Sequence, residues 1–123
     1  MIDFKIPDEI EKLKDATEKF ILNNVIPREK DPRQDSHGPH DTLRTELNKE
    51  AKSLGLLSPS VGKEWGGLGL NMRDMSVVFE ASGYSLLGPQ AMNCSAPDEG
   101  NMHMLEVVAN TAQKEKWLRP LAE

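Results

Sequence analysis

Apolar side chains recur along this chain at helical rather than strand spacing. Ile10, Leu13, Thr17, Phe20, Ile21 and Asn24 fall on one face of a helix with about 3.6 residues per turn. Pro7 followed by Asp8 and Glu9 predicts its first turn, because proline has no N–H to leave unpaired there and the acids meet the positive end of the helix dipole. Pro27 is expected to stop or kink this helix. A polar connector follows over 31–41, broken by Pro32, Gly38 and Pro39. Leu43, Leu47, Ala51 and Leu54 predict a second helical stripe, with Asp41 as its N-cap and Gly55 as its C-terminal stop. After a glycine-rich loop, Asn71 and Asp74 read as the capping residues of a third helix whose inner face is Met75, Val78, Phe79, Ser82, Gly83 and Leu86. A fourth is expected to start at Ser95, with Pro97 in its first turn and Met102, Leu105 and Val108 or Ala109 inward. Asn110 and Gln113 make another capping pair before a last helix that turns Trp117, Leu118 and Leu121 inward. No run alternates with period two for long enough to propose a sheet. The pattern predicts an all-α fold, a roughly five-helix bundle of up-and-down type, forming one domain over 1–123.

A chain of 123 residues suits one domain and buries roughly two-thirds of its unfolded surface. The formal charge of -5 argues against a nucleic-acid partner, which demands a basic face. Lysines are interspersed with acids, so no patch for anionic lipid is expected. No apolar run approaches the roughly 20 residues of a membrane span, and Met1–Pro7 is too short and polar for a signal peptide. The single Cys94 allows no internal disulfide and fits a reducing compartment. A cytoplasmic protein is the expectation, or in a eukaryote one of the mitochondrial matrix or peroxisome.

Several groups invite chemical readings. Gly66-Gly67-Leu68-Gly69 suggests a phosphate cradle, but the element before it reads as a helix and no Lys-Ser/Thr follows, so a tight packing turn is favoured. His37, His40, Asp35 and Asp41 contain metal-ligand residue types at a spacing that fits no compact site. Glu99 and His103 stand four apart on one helix face and read as a surface or pocket-edge pair. Cys94 has no basic neighbour to activate it and reads as a small buried side chain. Met92, Met102 and Met104 serve either as core filling or as an adaptable apolar wall.

Three stretches, in order, carry a family resemblance. Pro59 to Gly69, with Trp65 directly before Gly66-Gly67-Leu68-Gly69, is similar to the N-terminal-domain signature of acyl-CoA dehydrogenases. Gly88-Pro89, then Asn93-Cys94-Ser95-Ala96-Pro97-Asp98-Glu99-Gly100-Asn101-Met102, resembles the subgroup of family members 10 and 11. Gln113-Lys114-Glu115-Lys116-Trp117-Leu118-Arg119-Pro120-Leu121 resembles a helix of the same family. The resemblance covers the chain from about residue 7 to its end. It implies the helical N-terminal domain of a flavin-dependent oxidoreductase that introduces a double bond into an acyl-CoA thioester. It implies that Met92, Asn93, Ala96 and Gly100 line the acyl chain, with Ala96 and Gly100 deepening the cavity and Asn93 either contacting a polar chain or bridging backbone groups. In that family the flavin contacts and the catalytic carboxylate lie in later domains, which sometimes accompany a kinase-like fusion. FAD is therefore expected in the full-length parent and not in this fragment, no residue here is assigned a catalytic role, and the isolated chain is expected to be inactive and to self-associate as a homo-oligomer. The alternative is a non-enzymatic helical module that binds an apolar ligand or a partner protein.

Overall fold

The computed structural model describes Phe4–Glu123; Met1–Asp3, part of the segment read against a signal peptide, lie outside the described residues. Helix α1 (Asp8–Phe20) opens after Pro7, as its acidic first turn predicts. Toward Pro27 its regular α-geometry is lost, as expected, and the helical turns end at Arg28. It widens into a π-turn over Ile21–Val25 and tightens into a 3-10 turn over Ile26–Arg28. The cause is local: proline donates no hydrogen bond and its ring crowds the carbonyl four residues back, so the preceding turn opens instead of breaking. The same device recurs at the other end of the chain. Helix α6 (Thr111–Gln113) passes through a π-turn over Lys114–Leu118 into α7 (Arg119–Ala122), and here too a proline, Pro120, sits two residues past the π-turn.

The connector holds a two-residue hairpin, β1 (Gln34–Asp35) against β2 (Gly38–Pro39), where no strand was expected. Arg33 clamps it: its guanidinium bonds Asp31 at 2.8 Å and Glu46, on the next helix, at 2.7 Å. That helix, α2 (Asp41–Ser53), begins with Asp41 itself and not after it. His40 occupies the extended N-cap position, and the Asp41 carboxylate pairs with Arg44 instead of capping. Gly55 ends it in a left-handed conformation, φ +70°. Helix α3 (Met72–Ser82) is capped as predicted, the Asn71 side chain accepting from Asp74 N at 3.0 Å. A short α4 (Gly88–Ala91), not foreseen in the sequence, precedes α5 (Asp98–Val108), which starts three residues later than expected. Asn110 and Gln113 form a reciprocal capping box on α6.

Helix α1 packs along α3, α2 packs on α4, and α5 packs on the α6–α7 helix. The main core joins Phe20, Ile21 and Val25 to Leu43, Leu47, Val78 and Met92. A satellite core joins Val61 and Met102 to Leu118 and Ala122. Each large side chain buried this way stabilises the fold by roughly 1.5–3 kcal/mol. Helical periodicity misjudges three positions at the rims. Leu86 is 96% exposed and Leu54 55%, because α3 ends at Ser82 and α2 at Ser53 and both fall in the turns beyond, while Trp117, 56% exposed, stands on the outer side of its π-turn. Val108 also faces outward, and of the fourth predicted stripe Met102 alone is fully buried.

Between α2 and α3 the glycine-rich loop folds on itself. A side chain at Gly67 would collide with the Val61 carbonyl and come within 2.6 Å of the Ser58 carbonyl. Gly67→Ala is therefore expected to destabilise the chain by about 3 kcal/mol, read by chemical denaturation. Unchanged stability would show that the loop is not packed in this way.

Candidate functional site

The loop backbone consumes its own donors. Gly66 N bonds Lys63 O, Gly67 N bonds Gly62 O, Leu68 N bonds Ser58 O, Gly69 N bonds Val61 O and Leu70 N bonds Pro59 O, all between 2.7 and 3.2 Å. These amides point inward, so the loop offers no nest of N–H groups to an anion. The loop holds Ser58, whose carbonyl accepts from Val61 N and Leu68 N.

Ser58 is the hinge of a buried clasp. It has a left-handed backbone, φ +52°, and so does Asn93, φ +53°. Ser58 N donates to Met92 O at 2.9 Å. The Asn93 amide donates to Ser58 Oγ at 2.9 Å and to Leu121 O at 2.8 Å, with Met102 Sδ a further 3.8 Å contact. Ser58 Oγ in turn donates to Ala122 O at 2.7 Å. The last carbonyls of the α7 helix, which have no partner within the helix, are thus satisfied by side chains from two other segments. Of the two roles open to Asn93 in the sequence, its donors perform the bridging one. Asn48 on α2 does the equivalent for α4, donating to Gln90 O and Ala91 O at 2.9 Å each.

The four residues expected to line an acyl chain are dispersed around this clasp. Met92 is fully buried in the main core, and Asn93 is half-buried in the clasp. Ala96 is exposed and borders a polar cavity of about 210 Å³ together with Asn93, His37, Arg44 and Asp98. Gly100 is exposed on another side of α5, where a side chain would meet nothing within 4 Å. It opens onto a groove of about 700 Å³ whose apolar wall is Leu70, Met72 and Met75. The structure therefore brings Asn93 and Ala96 to one cavity and leaves Gly100 in a second, wider one. Met102 is buried and Met104 is 52% exposed, away from that groove. The methionines that do line it, Met72 and Met75, stand on α3, and nothing in their spacing distinguishes them from core residues.

Ser58, Asn48 and Glu106 were not singled out from the sequence. Glu106 joins α5 to the loop, its Oε1 accepting from Gly62 N at 2.9 Å. The available signal was Asn48 itself, a polar residue adjoining the Leu47 stripe of a helix, where such a side chain needs a partner.

The other candidates separate into local pairs. Asp35 accepts from His37 N at 2.7 Å and contacts His40 Nε2 at 3.3 Å, while Asp41 turns to Arg44. Glu99 and His103 share the groove without bonding each other. Cys94 is buried; burial pushes its thiol up to about 12, a nearby Glu99 charge acts in the same direction and a hydrogen bond with Ser82 opposes both. It is a neutral thiol, not a nucleophile.

The sequence model of the acyl-CoA dehydrogenase N-terminal domain matches residues 7–123. The chain belongs to the acyl-CoA dehydrogenase family, as an N-terminal domain. It is 30% identical over 114 residues to acyl-CoA dehydrogenase family member 11 of Rattus norvegicus, covering 84% of this chain and 14% of that protein. It is 32% identical over 125 residues to family member 10 of Mus musculus, covering 93% of this chain and 12% of that protein. The fold matches a solved structure assigned as an acyl-CoA dehydrogenase of Mycobacterium abscessus, with a TM-score of 0.80, 28% identity, and 97% of this chain against 32% of that one. This acyl-CoA dehydrogenase domain thus spans about a fifth or less of the curated relatives it matches.

Two outcomes test the clasp and the thiol. Asn93→Ala removes both bonds and leaves the Leu121 carbonyl unpaired, with an expected loss of about 2–3 kcal/mol in chemical denaturation. Asn93→Gly, which tolerates the left-handed backbone, is expected to lose about 1 kcal/mol less. Equal stability of both variants with the native chain would show that the clasp contributes nothing. For Cys94, the thiol holds its proton in the folded chain and releases it near 9 when unfolded. Its contribution is present below that pH and is lost as pH climbs toward about 12. The melting temperature of the native chain should fall more steeply over this window than that of Cys94→Ala; parallel curves would contradict the burial.

Proposed function

We infer that this domain forms one wall of the acyl-chain site in an FAD-dependent dehydrogenase that converts an acyl-CoA thioester to its α,β-unsaturated product. Family membership supports the reaction class. The groove beside Gly100 carries the assignment of place. It is the site where an exposed helix lacks a side chain opposite an apolar wall, leaving room for a flexible aliphatic chain against Leu70, Met72 and Met75. Bound FAD would accept the hydride. The proton is removed by a base outside this chain, in the domains that follow in the family.

The residues here contribute binding and shape. Leu70, Met72 and Met75 remove aliphatic surface from water, at about 0.8 kcal/mol per methylene buried. The unbranched thioethers of Met72 and Met75 adapt to chains of different outline. The Glu106–Gly62 bond and the Ser58–Asn93 clasp hold α5 and the chain end against the loop, so that the groove keeps its width. As a single wall, the domain is expected to be inactive alone and to work within a homo-oligomeric holoenzyme acting on acyl-CoA. The polar cavity at Ala96 and Asn93 is a weaker place for an acyl chain, since Arg44, His37 and Asp98 border it.

The test uses the full-length gene product, isolated with its flavin. Gly100→Phe projects a ring into the groove from a position where a Cβ meets nothing within 4 Å. Turnover of long-chain thioesters is expected to drop roughly tenfold or more relative to short-chain ones, the equivalent of two or so methylenes lost from burial. An unchanged chain-length profile would place the acyl chain elsewhere, and absence of the flavin band would refute the FAD assignment.

A further inference from the structure

We draw no further inference here: the strongest candidate, the exposed apolar stripe of Met104, Val107 and Val108 along the outer side of α5, is an unpartnered helix face, and nothing in the structure shows what covers it.

Discussion

One side-chain amide holds an edge of the domain together. Asn93 reaches from the turn after α4 to Ser58 in the glycine-rich loop and to Leu121 near the chain end, and Ser58 passes the connection on to Ala122. These are three segments that no helix-to-helix hydrogen bond could join. Helix ends leave carbonyls without partners, and an apolar satellite core of Val61, Met102, Leu118 and Ala122 cannot satisfy them. The clasp does so from within, at the junction of the two cores. Both of its residues adopt a left-handed backbone, a conformation that costs about 1–2 kcal/mol per residue outside glycine. The hydrogen bonds and the packing around them offset that strain.

The groove follows from this arrangement. With the loop folded on its own amides and the chain end clasped to it, α5 is fixed through Glu106 to Gly62 and through Met102 to the satellite core. Beside Glu106, Gly100 then leaves a gap on α5 that faces Met72 and Met75 of α3. The same rigidity that closes Met92 and Met102 into the core keeps the space between Gly100 and Met75 open. Shape comes from a missing side chain, adaptability from two thioethers, and polarity from the α5 carboxylates.

Much of the fold was legible because its signals are local. The 3.6-residue periodicity of α1, α2 and α3 and the caps at Asn71 and Asn110 depend on residues within one turn of each other, and the structure keeps them. A stop or kink at Pro27 was legible; its form as a π-turn was not, because that depends on whether the preceding turn can widen, and the packing of Ile21 and Val25 into the core favours it. Leu86 and Trp117 satisfy the apolar pattern yet face outward, since periodicity identifies a face and not what covers it. For the candidate site, family motifs pointed to the segment from Met92 to Gly100, whose residues the structure divides between the core and two cavities. They could not separate its closed residues from its open ones, because that division is made by Ser58, Asn48 and Glu106, each more than thirty positions away from the partner it holds.

The most direct measurement is a crystal structure of the full-length gene product with a non-reactive thioether analogue of an acyl-CoA. The account predicts aliphatic density in van der Waals contact with Gly100 on one side and Met75 on the other. An acyl chain seated elsewhere, with this groove covered by the protein's own polypeptide, would contradict it.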